Sequence, residues 1–300
     1  MKILFTGDVY RSNQGQAGNI GRNYHYFKHC FEGCHVGVIS EPLGKGERYC
    51  LKDWQRTYNT ASKMPLTHIT EYITRNVIDL VIGFEMPFGE LRQLDELGIK
   101  YIDILHYPIR FTDFVMYGVR SNFIGTCHTV HDFELSGIVG KMMGDTRFRG
   151  GHDNMIPDIW LFAGQTPIDR SLMDERGNIR KPWDYVEQVR DFAIAAKSAG
   201  CIPVFKYHPC DWDVIEKKRW FSVMGYDSEN IVIDDIYDAL ARGNVQRVLS
   251  LSSSVSNEAH YFNIESDTLV KHYPNMVNEH YSRMTYDDIV HLLYTLDLGV

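Results

Sequence analysis

The feature that most constrains this chain is a short apolar run that breaks into a polar turn, repeated along its length. Trp160 to Leu172, WLFAGQTPIDRSL, is the sharpest case. Ile159 to Ala163 has the unbroken apolar character of a strand buried on both faces of a parallel sheet. It stops at Gly164 and gives way to Gln165, Asp169, Arg170 and Ser171. Two later segments share this shape. IPVFKYHP runs from an apolar stretch, Ile202 to Phe205, into Lys206, His208 and Pro209. VLSLSSSVSNEA runs from Val248 to Leu251 into Ser252, Ser253 and Ser254, with Glu258 following. In an open α/β sheet, ligands sit beyond the carboxyl ends of the strands. An acid, a Lys–His pair and a hydroxyl cluster at three such ends therefore form a candidate site.

The N-terminal half has the same rhythm. Lys2 to Phe5, His35 to Ser40, Val77 to Phe84 and Ile99 to Leu105 read as strands. Ile20 to Phe31, Leu66 to Asn76 and Glu90 to Leu97 read as helices, and residues 41 to 65 as loop or irregular helix. Glu85 follows the buried run VIDLVIGF, and His106, Pro108 and Arg110 follow the next strand. Glu85 has two readings, a helix N-terminal carboxylate or a site residue, and its place directly after a buried strand favours the second. The turn TGDVYRSNQGQAGN after the first strand is Gly-containing but lacks the GxGxxG spacing, so no dinucleotide fingerprint is read there.

Val115 to Val139 mixes helix and loop signals, and Thr146 to Pro157 reads as a linker. Beyond it come a helix at Trp183–Ala199 closed by Gly200, and further helices at Trp212–Met224, Ile236–Arg242, Val255–Tyr261 and Tyr286–Leu296. Ile231–Ile233 reads as a short strand. A chain of 300 residues holds about two domains. The alternation predicts an α/β fold with two Rossmann-like domains facing each other, residues 1–155 and 156–300.

Composition excludes several classes. The net charge of −8 argues against a general nucleic-acid binder. Six scattered cysteines show no disulfide-like framework and suit a reducing cytoplasm. No apolar run approaches the ~20 residues of a membrane-spanning helix, and Met1 leads straight into a strand with no signal peptide. His25, His29, Cys30, Cys34 and His35 are metal-ligand types, but no second pair stands at a zinc-like spacing, so they read as ordinary helix and strand positions. Asp234 and Asp235 read as a solvated turn rather than a metal site. Lys206 and His208 suit a phosphate. Ser252, Ser253 and Ser254 before a helix add hydroxyls and backbone N–H groups for an anion.

The order of these motifs carries a resemblance. GQTPIDRS has a QxxxD pattern (Gln165, Asp169), followed by KYHP, then by the serine pair and by Glu258 in NEA. This resembles the bacterial retaining β-Kdo transferases of capsule and O-antigen assembly, over residues 159 to 260. The HP and SS motifs are also similar to those of CMP-sialic acid transferases. Tyr207 stands where those families often have a small residue or Pro, and Ser256-Asn257 where a Gly–aromatic pair often precedes the Glu. The resemblance implies a GT-B arrangement and CMP-Kdo as donor. It implies Asp169 as nucleophile and Glu85 as acid/base, with Gln165 and Arg170 orienting the sugar or its carboxylate. Lys206, His208, Ser252, Ser253, Ser254 and Glu258 would bind the nucleotide side, and His106 and Arg110 the acceptor or sugar. No cofactor and no metal are expected. The partners expected are the CMP-sugar and a glycan acceptor, lipid-linked in some systems, for a cytoplasmic protein at the inner membrane face. Two other readings stand beside it: an inverting sialyltransferase-like enzyme in which Asp169 is a base, and a non-catalytic nucleotide- or glycan-binding module.

Overall fold

A computed structural model describes residues 1–11, 14–41, 51–60, 65–150, 157–208, 214–225, 233 and 235–296. The first half contributes strands β1 (Lys2–Gly7), β2 (His35–Val38), β3 (Leu80–Phe84), β4 (Lys100–His106) and β5 (Tyr117–Ser121). Its helices are α1 (Gln14–Phe27), α2 (Leu51–Thr57), α3 (His68–Asn76), α4 (Phe88–Glu96) and α5 (Asp132–Gly150). The second half contributes β6 (Ile159–Ala163), β7 (Ile202–Lys206), β8 (Val245–Ser250), β9 (Glu265–Thr268) and β10 (Ser282–Met284). Its helices are α6 (Val186–Ser198), α7 (Val214–Met224), α8 (Ile236–Arg242), α9 (Ser254–Ala259), α10 (His272–His280) and α11 (Tyr286–Thr295).

Two sheets result. The first has the order β10-β5-β4-β3-β1-β2, and the second β7-β6-β8-β9. The second is parallel throughout, as are β2, β1, β3 and β4 of the first. A parallel sheet is covered on both faces, and the side chains show it. Along β6, β7 and β8, Leu161, Val204 and Val248 enter the large core shared with the first sheet. Their neighbours Phe162, Phe205 and Leu249 enter a second core with Leu172, Val189 and Trp220. The period of two sorts adjacent residues to opposite faces.

The architecture has the expected α/β class: two Rossmann-like units open onto one cleft. Several boundaries differ. The helix expected from Ile20 begins at Gln14, because Gln16, Ile20 and Phe27 share a face buried under β1. The mixed stretch 115–139 holds β5 and the start of α5, and α5 runs on to Gly150 through the first part of the expected linker. Residues 151–156, Pro209, Ile231, Val232 and Asp234, all named above, lie outside the described residues. By sheet membership, the division into 1–155 and 156–300 does not hold at the C-terminus. After β9 the chain returns to the first sheet, where β10 pairs with β5 antiparallel, Ser282 opposite Val119. Tyr281, just before β10, is fully buried and hydrogen-bonded to Asp103 of β4.

Candidate active site

The two sheets repeat one strand order. In each, the first strand of the unit lies between the second and the third, with the fourth beside the third. The chain therefore crosses to opposite sides at the first strand, and the crevice beyond its carboxyl end is where such folds bind ligands. In the first sheet this point lies between β1 and β3, and in the second between β6 and β8. The two crevices face each other across a cleft of about 580 Å³.

From the first sheet, β1 delivers Arg11 and β3 delivers Glu85. The Arg11 guanidinium lies 3.2 Å from Glu85 Oε2 and 3.7 Å from Asp169 Oδ2, across the cleft. Glu85 Oε1 lies 3.5 Å from Arg170 Nη2. The side chains of Arg11, Asp169 and Glu85 are 20%, 25% and 12% exposed, so a ligand in the cleft can reach them although most of each side chain is shielded. Charges in such a place interact more strongly than on an open surface. Arg170 is buried and hydrogen-bonds the Tyr273 hydroxyl. Burial works against its charge, but Glu85 and the surrounding tyrosines more than offset this, and its pKa moves up. Behind Arg11, buried Asp8 accepts from Trp54 Nε1 at 2.9 Å and from the Tyr58 hydroxyl at 2.7 Å. Burial raises the Asp8 pKa against those two hydrogen bonds.

From the second sheet, β6 ends at Gly164. A Cβ there would stand 3.0 Å from the Phe205 ring, so glycine lets the ends of β6 and β7 close together. Asp169 caps the tight turn Arg170–Leu172, its Oδ1 accepting from the Ser171 N–H at 2.8 Å. One carboxylate oxygen is thereby committed to the backbone, and the other faces Arg11. Gln165 Nε2 donates to the Ser171 hydroxyl at 3.0 Å and to the Ser252 hydroxyl at 3.4 Å. The two hydroxyls are 2.8 Å apart, a buried link between β6 and β8. Lys206, Tyr207 and His208 line the same wall, with the Lys206 ammonium 5.2 Å from the centre of the Tyr207 ring.

The cleft thus gathers Asp169, Glu85, Gln165, Arg170, Lys206, His208, Ser252, Ser253, Ser254, His106 and Arg110 on one wall or the other. Their commitments differ from the expectation in places. The Ser252 hydroxyl is engaged with Ser171 and Gln165, and the Ser253 hydroxyl accepts from Val255 N–H as the cap of α9. Glu258 is not on the wall. It is fully buried behind it, where Oε1 accepts from the Arg110 N–H and from the Tyr237 hydroxyl at 3.0 Å. Burial raises its pKa. It braces the Arg110 loop of the first unit against α8 and α9 of the second. Burial lowers the pKa of His106, whose ring packs on Phe84. A neutral ring there can accept a hydrogen bond from a sugar hydroxyl.

Sequence reasoning did not single out Arg11, Asp8, Tyr237, Tyr273 or Asp103. The strand-end rule, applied to β1 as it was to β3 and β6, would have found Arg11. Asp103 carried a different signal, a carboxylate inside the apolar strand KYIDILH. It is fully buried, and burial pushes its pKa up to about 6 against hydrogen bonds from Met86 and Tyr281. Asp235, half of the acidic pair read as a solvated turn, caps α8 through the Tyr237 and Asp238 N–H groups. Among the described residues, no three His, Cys, Asp or Glu side chains gather as metal ligands would. Cys30, Cys34, Cys127 and Cys201 are free thiols. No described helix is long and apolar enough to cross a membrane.

No family profile matches the chain, and no curated protein matches it by sequence. Among solved structures it is similar to the β-Kdo 2,7 transferase KpsC of Thermosulfurimonas dismutans, at 10% identity, 98% of this chain, 99% of that one and a TM-score of 0.46. It is also similar to a UDP-GlcNAc 2-epimerase from Methanocaldococcus jannaschii, at 11% identity, 99% and 94% coverage and a TM-score of 0.31. A third is S. aureus MnaA in a co-structure with UDP, at 11% identity, 89% and 78% coverage and a TM-score of 0.31. At these identities, what the chain does has to be read from its own cleft residues.

Proposed function

We propose that this chain is a glycosyltransferase that moves Kdo from CMP-Kdo to a saccharide hydroxyl with retention of configuration. The observation that carries the reading is the meeting of Asp169 and Glu85, from opposite units, on one guanidinium at 3.7 and 3.2 Å. The order of GQTPIDRS, KYHP and SSS, which resembles the β-Kdo transferases, supports the choice of donor. In the first step Asp169 Oδ2 attacks the anomeric carbon, and the bond to the phosphate oxygen breaks with its electron pair leaving on CMP. Lys206 and His208 meet that charge with charge-assisted hydrogen bonds. In the second step the acceptor hydroxyl attacks the same carbon, Glu85 takes its proton, and the Asp169 carboxylate is restored. Two inversions give net retention.

Arg11 fits a donor that carries a carboxylate. In Kdo the carboxyl carbon is bonded directly to the anomeric carbon. A cation already beside the nucleophilic oxygen is therefore within reach of the sugar carboxylate when attack is in line. Donor binding would exchange the Arg11–Asp169 pair for an Arg11–sugar pair and free Asp169 to attack. The acceptor, on this reading, enters from the His106 and Arg110 side.

Anomeric configuration of the product, followed by NMR during transfer from CMP-Kdo generated in place to a panel of saccharides, tests the reading. Retention is expected. Inversion would make Asp169 a base in a single displacement. CMP binding with no transfer to any acceptor would favour the non-catalytic module.

A further inference from the structure

We propose that Asp103 and Tyr281 are positioning residues for Glu85, a buried pair that holds the backbone turn aiming its carboxylate into the cleft. This rests on Glu85 acting as the acid/base of the reaction above. Glu85 has a φ of +55°, in the left-handed region that non-glycine residues avoid. Such a conformation persists where its surroundings over-determine it. Two hydrogen bonds bracket it here. The Glu85 N–H donates to the Ile104 carbonyl at 2.8 Å, continuing the β3–β4 ladder. The Met86 N–H, one residue on, leaves the ladder and donates to Asp103 Oδ1 at 2.9 Å.

The other carboxylate oxygen of Asp103 accepts from the Tyr281 hydroxyl at 2.7 Å. Asp103, Tyr281 and Met86 are all fully buried, and Asp103 and Tyr281 are not on the cleft wall. The fit is close. A Cβ at Gly83 would fall 2.5 Å from Met86 Cγ and 2.7 Å from Asp103 Oδ1, so β3 lies flat against the pair. A carboxylate in the middle of an apolar strand is costly unless its oxygens are engaged. Both are engaged, and one by the peptide next to Glu85. Tyr281 enters from the segment that returns after the second sheet. The C-terminal return therefore completes the support of a residue in the first unit.

A merely structural role would lower all activities together with stability. A positioning role falls on the half-reaction that uses Glu85. In the full chain, Asp103→Ala is expected to form the Asp169 adduct from CMP-Kdo within about twofold of the wild-type rate. Transfer of that adduct to acceptor should fall about tenfold or more, short of the ~10²- to 10⁴-fold cost of losing the proton transfer outright. Asp103→Asn keeps an oxygen for the Met86 N–H and should recover most of the loss, and Tyr281→Phe should lie between. Adduct formation and transfer falling in parallel, or Asp103→Asn being as slow as Asp103→Ala, would overturn the proposal. A second measurement stands apart from turnover. The crystal structure of Asp103→Ala should show Glu85 released from its left-handed backbone, and that of Asp103→Asn should keep it. Glu85 unchanged in Asp103→Ala would refute the proposal even if the donor is another sugar nucleotide. If wild type forms no adduct, the donor reading fails while the crystallographic arm still decides this one.

Discussion

The two units share a strand order and differ in what they hang on it. At the crevice of the second sheet, the strand ends carry Asp169, a hydroxyl network through Gln165, Ser171 and Ser252, and the basic side chains Lys206 and His208. At the crevice of the first sheet they carry Arg11 and Glu85, supported from behind by buried polar groups: Asp8 with Trp54 and Tyr58, and Asp103 with Tyr281. On the proposed reaction, the second unit holds an anion beside a nucleophile. The first, on the same proposal, holds one base and one cation in place. A doubled scaffold thus supplies two unlike half-sites, and the ion pairs Arg11–Asp169 and Arg170–Glu85 join them.

The substitution with the largest expected effect on this division is Asp169→Asn. Asparagine caps a helical turn about as well as aspartate, so the fold should survive while transfer falls by about 10³-fold or more, as for other lost nucleophiles. Glu85→Gln, on the opposite unit, should lower acceptor transfer by about 10²- to 10⁴-fold. It should leave the first step intact. Equal loss of both steps in both variants, measured by rapid quench, would dissolve the division. Next come His208→Ala and Lys206→Ala. Each removes a charge-assisted hydrogen bond worth about 1.5–3 kcal/mol, which should appear as weaker CMP binding by calorimetry. Arg11→Gln should be more selective. CMP affinity should stay near wild type while the added affinity for CMP-Kdo over CMP is lost; an unchanged preference would remove Arg11 from carboxylate recognition.

The smallest effect concerns the interior of the first unit alone. Glu90 of α4 is fully buried, and burial pushes its pKa up to about 8 against a hydrogen bond with Thr67. In the unfolded chain it titrates near the ordinary value of 4.5. Between those values the folded state holds a proton that the unfolded state has lost. Stability contributed by the neutral group is present in full below the lower value and declines as pH rises toward the upper one. Thermal unfolding should show a lower melting temperature at pH 8 than at pH 5, and Glu90→Gln should flatten that slope. An unchanged slope in the variant would assign the pH dependence elsewhere.

What could be read from the sequence follows from how each element is stabilised. VIGF of β3 and IWLFA of β6 are buried on both faces and say so residue by residue. β9 is ESDT, an edge strand with no apolar residue, and β10 is three residues long. Both exist because a neighbouring strand offers free backbone groups, which leaves no pattern in their own sequence. The start of α5 reads as mixed helix and loop and its end, from Thr146, as linker, because Gly137, Gly140, Gly144 and Gly150 interrupt its pattern, yet it packs against α8. The site divides in the same way. Strand ends announced Asp169, His208 and Glu85. Glu258 shared their sequence neighbourhood but faces inward, because α9 turns that side of the helix against Arg110 and Tyr237. Arg11 is less legible because it stands four residues past the end of β1, in a turn whose visible signal is its glycines.

The central claim is that carboxylates from the two units divide one reaction, Asp169 bonding the sugar and Glu85 passing it on. Intact mass spectrometry after incubation with CMP-Kdo tests it most directly, on wild type, Glu85→Gln and Asp169→Asn. The account predicts a mass increase of one Kdo residue that maps to the 159–172 peptide, builds up further in Glu85→Gln and is absent in Asp169→Asn. Transfer to an acceptor with no adduct in any of the three would contradict it.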